Sequence, residues 1–205
     1  MKIAIVTGAS SGMGREFVYA LDREGKYAEI WVIARRADRL ESLKTECKTA
    51  IRPIALDLGK AESFDAYRTL LETEKPDVSV LVNCAGFGKF GTYAEIQTEV
   101  ACEMIDLNCK ALVRMTEYTL PYMQAGAHIV ELDSLSSFQP VPYIGVYGAT
   151  KAFVLSYSRA LNVELRPRGI KVMAVCPGWV RTDFFDRAKT DCTNAVTYFN
   201  KMYEA

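Results

Sequence analysis

Tyr147 and Lys151 stand four positions apart in the run Tyr147-Gly148-Ala149-Thr150-Lys151. On a helix that spacing puts a phenol and an ammonium on one face, one turn from each other. A phenol of ordinary pKa, about 10, is a poor acid–base at neutral pH, and a cation beside it favours the phenolate and lowers that value. Tyrosine and lysine are common here, so the pair alone carries little information. Its context carries more. Ser134 lies thirteen residues upstream, just past the apolar run 129–132, at the edge where an open α/β sheet binds ligands. Its hydroxyl could donate to a carbonyl oxygen while Tyr147 delivers a proton. Ser136 and Ser137 are rival hydroxyls whose spacing from Tyr147 fits less well.

A second constellation closes the first apolar run: Thr7-Gly8-Ala9-Ser10-Ser11-Gly12-Met13-Gly14. Glycines let a backbone turn sharply and approach a pyrophosphate, whose charge then faces a helix N-terminus. The spacing T-G-x-x-x-G-x-G differs from G-x-G-x-x-G, and no Gly-Lys-Ser/Thr ending marks a P-loop NTPase. Gly8, Ser10, Ser11, Gly12, Met13 and Gly14 are therefore predicted to hold a dinucleotide. The second apolar run ends Ala34-Arg35-Arg36, with alanine where an NAD site would carry a carboxylate for the ribose hydroxyls. A guanidinium there would meet a 2′-phosphate with charge-assisted bonds, so the cofactor expected is NADP(H), with Arg35 on its phosphate. The competing reading makes Arg35, Arg36 and Arg39 a solvated helix start.

These groups need a frame. Residues 3–6, 30–33, 51–56, 78–82, 128–132 and 171–175 read as strands, apolar enough to be buried on both faces of a parallel sheet. Helical patterns fall between them, over 12–24, around Leu40, Leu43 and Cys47, around Phe64, Tyr67, Leu70 and Leu71, and over 100–124 and 146–166. Gly25, Gly169 and Pro76 sit where helices should stop. The alternation predicts an α/β, doubly wound parallel sheet in one domain over 1–205.

Composition narrows the function. With 25 basic and 25 acidic side chains in 205 residues the net charge is zero, which gives no pull toward nucleic acid or an anionic membrane. The single histidine, His128, excludes metal sites and relays that need two histidines, and it falls at the far end of the sheet. No apolar stretch reaches the length of a membrane span or a signal-peptide core. The chain reads as cytoplasmic, with Cys47, Cys84, Cys102, Cys109, Cys176 and Cys192 as thiols.

Together these motifs resemble the short-chain dehydrogenase/reductase family, in its compact, single-domain, NADP-preferring branch with a Rossmann-like sheet. The resemblance runs along nearly the whole chain in order: the glycine loop, Asp57, Asn83-Cys84-Ala85-Gly86, Asn108, Ser134, Tyr147, Lys151 and Pro177-Gly178-Trp179-Val180-Arg181-Thr182. It implies that Tyr147 is the general acid/base, that Ser134 positions the substrate oxygen, and that Asn108 seats a water in a proton relay. It makes Lys151 the residue that holds the nicotinamide ribose and lowers the tyrosine pKa. Asp57 would contact adenine; Asn83, Ala85 and Gly86 would line the cofactor, and Pro177, Gly178, Val180 and Thr182 would cover the nicotinamide. Cys84, Glu131 and Asp133 depart from the family pattern without touching these roles.

Phe87, Phe90, Phe138, Val141, Tyr143, Trp179, Phe184 and Phe185 are expected over the site, a lining for an apolar or ring-bearing carbonyl or alcohol. An NADP(H)-dependent oxidoreductase of ketones, aldehydes and alcohols is the leading reading. A 3-oxoacyl-thioester reductase would want basic residues such as Lys89, Arg181 and Arg187 at the pocket mouth. A non-catalytic NADP-sensing protein is the third possibility, disfavoured by the intact Asn108, Ser134, Tyr147 and Lys151. The resemblance also implies a homo-dimer or tetramer, and a further helix and seventh strand beyond residue 205, so the sheet is expected to lack its C-terminal strand.

Overall fold

A computed structural model describes residues 2–188 and the backbone of Tyr203 and Glu204; Cys192 and the rest of 189–205 lie outside the described residues. The expected strands all form: β1 (Lys2–Thr7), β2 (Glu29–Ala34), β3 (Ala50–Ala55), β4 (Asp77–Asn83), β5 (His128–Leu132) and β6 (Lys171–Val175). They build one parallel sheet in the order β3-β2-β1-β4-β5-β6. The chain winds outward from β1 to β3 on one side and from β4 to β6 on the other. The crevice at the C-terminal ends of β1 and β4 is the switch point at which such sheets bind ligands.

Side chains alternate along each strand, and here both faces are apolar. Ile3 and Ile5 of β1 enter one cluster, Ala4 and Val6 the other. The first is covered by α3 (Ala61–Glu74), α5 (Leu112–Thr119) and the end of α6 (Gly145–Glu164), through Phe64, Tyr67, Leu71, Met115 and Leu161. The second is covered by α1 (Gly12–Glu24) and α2 (Ala37–Glu46), through Val18, Leu21, Leu40 and Leu43. Burial on both sides is why the strands read as unbroken apolar runs.

The helix expected over 100–124 is a composite. It runs from α4 (Thr98–Ile105) through a π-helical turn, Asp106–Ala111, into α5 and a 3₁₀ turn at Leu120–Tyr122. A π turn inserts an extra residue into the helical ladder and recurs at functional positions; Asn108 lies within this one. Gly25 ends α1 with φ 62°, whereas α3 ends on Lys75 at φ 44°, a left-handed residue with no glycine to announce it. Past β6, β7 (Val180–Arg181) pairs in parallel with β8 (Tyr203–Glu204), and the short helix α7 (Phe184–Ala188) follows β7. Among the described residues no helix is long and apolar enough to cross a membrane.

Candidate active site

Two adjoining cavities open at the switch point. One, of about 310 Å³, is lined by Gly8, Ser10, Ser11, Gly12, Met13, Gly14, Arg35, Asp57, Ala85 and Gly86. The other, of about 290 Å³, is lined by Ser134, Tyr147, Lys151, Pro177, Gly178 and Val180. Met13, Gly86, Phe87, Thr182 and Phe184 belong to both walls. The structure thus gathers nearly all of the expected residues at one place. Asn108 lines neither cavity, and nor does Asn83. Its buried side chain donates to Thr116 Oγ1 at 3.0 Å and to Glu131 Oε1 at 3.4 Å, away from the cleft.

The glycine loop is built for close approach. Gly8 has φ 68°, and a Cβ there would stand 2.8 Å from the Cys84 carbonyl oxygen; a Cβ on Gly14 would collide with the Gly8 carbonyl. Thr7 ties this loop to the one after β4, its Oγ1 accepting the N–H groups of Cys84 and Ala85 at 3.1 Å each. The result is a narrow, glycine-walled cradle at the start of α1, suited to a pyrophosphate group.

Arg35 reaches the cleft wall, but Arg36 is the arginine anchored on the loop. It donates to Ser11 Oγ at 2.7 Å and to Ser10 Oγ at 3.1 Å. The sequence pattern alone assigns the 2′-phosphate contact to Arg35 and does not single out Arg36. Arg187 also lines this cleft, its guanidinium 3.9 Å from the centre of the Phe87 ring. Burial and then the nearby Arg35 charge hold the Arg187 pKa below its ordinary value. Lys89, Arg181 and Arg187 do not line the cavity beside Tyr147, although Arg187 lines the adjoining cleft.

Tyr147 and Lys151 share a face of α6, as their spacing requires, but the electrostatics differ from expectation. Burial pushes the Tyr147 phenol up to about 12, a hydrogen bond with the Ser134 hydroxyl opposes this, and the Asp133 charge adds to it. Lys151 Nζ donates to the Leu132 carbonyl at 2.6 Å and lies 5.8 Å from the centre of the Tyr147 ring. Burial moves the lysine's own pKa down, against the pull of Asp133.

Neighbouring groups fix the rest. Ser136, discounted from sequence, is buried and donates its Oγ–H to Ser134 Oγ at 3.0 Å, so it positions that hydroxyl. Asn108 Oδ1 accepts the Phe87 N–H at 3.0 Å, while Nδ2 donates to the Phe87 carbonyl at 2.9 Å and to Thr150 Oγ1 at 3.0 Å. Both amide protons are committed, and the side chain braces the Gly86-Phe87 wall against α6. Behind the site, Glu131 is fully buried, with Oε1 accepting Thr116 Oγ1–H at 2.9 Å and Oε2 unpartnered. Burial raises its pKa to about 7.

The cavity beside Tyr147 is walled by Phe87, Phe90, Val141, Trp179, Phe184 and Phe185, as expected, and by Ile144, which the sequence pattern does not reveal. Phe138 and Tyr143 do not line it; they are 62% and 41% exposed. The loop before α6 turns through a left-handed Tyr143 (φ 67°) and points both rings to solvent.

This arrangement has known relatives. The short chain dehydrogenase family matches residues 2–193. An uncharacterized oxidoreductase of Staphylococcus epidermidis is 32% identical over 96% of this chain and 90% of its own length. Among solved structures, a short-chain dehydrogenase from Sphingobium yanoikuyae in complex with NADPH superposes with a TM-score of 0.87 at 31% identity, over 100% of this chain and 80% of that one. The bulky-bulky ketone specific alcohol dehydrogenase from Comamonas testosteroni gives 0.79 at 31% identity, over 88% of this chain and 73% of the other.

Proposed function

The chain belongs to the short-chain dehydrogenase/reductase family, and from that premise we propose that it interconverts an apolar ketone or aldehyde and the corresponding alcohol, using NADP(H). The observation that carries this reading is the Tyr147 phenol, buried beside Ser134 in a cavity that shares a wall with the glycine-loop cleft. The nicotinamide cofactor, when bound, supplies or accepts the hydride. The protein has then to orient the carbonyl and manage one proton. Ser134 donates to the carbonyl oxygen, Tyr147 gives its proton to that oxygen in reduction and takes one from the alcohol in oxidation, and Lys151 puts a positive charge beneath both. Asn108, buried behind Phe87, holds that wall of the cleft in place.

Three arginines on the 2′-phosphate side, Arg35, Arg36 and Arg39, support NADP(H) over NAD(H), with no carboxylate at Ala34 to repel the phosphate. The NADPH in the Sphingobium relative points the same way. The aromatic cavity favours a ring-bearing or branched substrate, in line with the bulky ketone specificity of the Comamonas relative.

Initial rates with NADPH and with NADH test the reading, measured over small ketones, ring-bearing ketones and acyl thioesters. The expected result is NADPH oxidation, fastest with ring-bearing ketones. Consumption with thioesters only, a preference for NADH, or no turnover on any class would overturn it.

A further inference from the structure

The strap leading from β7 into α7 lies across both cavities, and its hold on the cofactor cleft is an ion pair. Asp183 Oδ2 is 2.8 Å from Arg39 Nη1 and 3.6 Å from Arg36 Nη1. Arg36 is at the same time seated on the glycine loop through Ser10 and Ser11. One residue before Asp183, Thr182 packs on the loop so closely that a Cβ on Gly12 would stand 3.1 Å from Thr182 Cβ. One residue after it, the Phe184 ring is 5.5 Å from that of Tyr147. At the far end the Phe90 N–H donates to the Ala188 carbonyl at 3.0 Å. The carboxylate of Asp183 therefore sits on the guanidinium of Arg36, which lines the cofactor cleft, and on that of Arg39.

We propose that Asp183 is a determinant of cofactor selectivity, its carboxylate competing with the 2′-phosphate for Arg36 and Arg39. The proposal rests on the NADP(H) reading of the cleft. A phosphate monoester carries more charge and more acceptor oxygens than a carboxylate and matches the guanidinium fork, so it displaces the carboxylate. The side chains of Arg36, Arg39 and Asp183 are 42%, 45% and 52% exposed, so that displacement is easy but not free. A cofactor without the 2′-phosphate leaves the pair intact and gains nothing from these arginines. Asp183 thus holds back the preference for the phosphorylated cofactor, and its loss should enlarge it.

The test uses 2′,5′-ADP and 5′-AMP as probes, with dissociation constants measured calorimetrically at low salt for the full chain. The readout is the ratio of the two affinities, which a general loosening of the strap would leave unchanged. Asp183→Asn is expected to raise the ratio in favour of 2′,5′-ADP by about 2- to 5-fold, the size suited to a half-exposed ion pair. Asp183→Glu should stay near the wild-type ratio, and in an Arg39→Gln background the effect of Asp183→Asn should shrink. A wild-type preference for 2′,5′-ADP that Asp183→Asn leaves unchanged, or lowers, removes the proposal and leaves the NADP(H) reading standing. A wild-type ratio near one that stays near one in Asp183→Asn removes both.

Discussion

Lys151 lies 5.8 Å from the centre of the Tyr147 ring yet gives its hydrogen bond to the Leu132 carbonyl, 2.6 Å away at the end of β5. The ammonium is held beside the phenol by the end of a sheet strand, in the wall of the same cavity. Burial dominates the phenol, whose pKa stands at about 12.

That elevation sets the pH dependence. A raised phenol stays protonated, and so remains a competent acid, throughout the neutral range; carbonyl reduction should be nearly flat from about pH 6 to 9. Alcohol oxidation needs the phenolate and should rise about tenfold per pH unit over the same range. Initial rates in both directions check this. A reduction rate that falls steeply between about pH 7 and 8 would contradict it.

Glu131 should make the fold less stable as pH rises through a lower window. Its pKa is about 7 in the folded chain against an ordinary 4.5, so between those values the folded state holds a proton that the unfolded state has lost. Stability from this group is fully present below the unfolded value, falls as pH rises and levels off above the folded value, a loss of about 3 kcal/mol. Glu131→Gln retains an acceptor for Thr116 and Asn83 and should abolish that slope, with a higher Tm at pH 8. Parallel Tm–pH curves for the two proteins would be the contrary result.

The glycine loop should not tolerate a single methyl. Gly8→Ala meets both a left-handed φ of 68° and the Cys84 carbonyl oxygen at 2.8 Å, a cost of about 1–3 kcal/mol for the backbone alone. Denaturant melts and NADPH titration should show lowered stability and a loss of cofactor affinity together. Wild-type values for both would mean the loop is not confined as described.

Trp179 walls the cavity beside Phe90, with ring centres 6.1 Å apart in an edge-on arrangement. Trp179→Ala should raise KM for ring-bearing ketones by about ten-fold or more, from lost apolar contact of about 1.5–3 kcal/mol, and alter KM for acetone-sized substrates far less. Equal changes for both sizes would place the substrate elsewhere.

The strands were legible in the sequence because burial on both faces leaves no polar alternation to confuse them, and the expected bounds fall within two residues of those observed. The Tyr147–Lys151 face and the glycine loop were legible because each is local in the chain. The remainder depends on distant neighbours. Asp183 meets Arg39 across 144 positions, so no local pattern announces it. Ser136 earns its role from the turn after Ser134, and Phe138 and Tyr143 lose theirs to a left-handed residue in the same loop. The raised Tyr147 phenol follows from burial, which residue spacing does not report.

Tyr147→Phe tests the central claim most directly, because it removes one oxygen from a buried ring and leaves the glycine-loop cleft untouched. With a ketone that the wild-type enzyme reduces, NADPH oxidation should fall by about 10²-fold or more, while the NADPH dissociation constant stays within about two-fold of wild type. Turnover at the wild-type rate, with the cofactor bound as before, would contradict proton transfer by Tyr147.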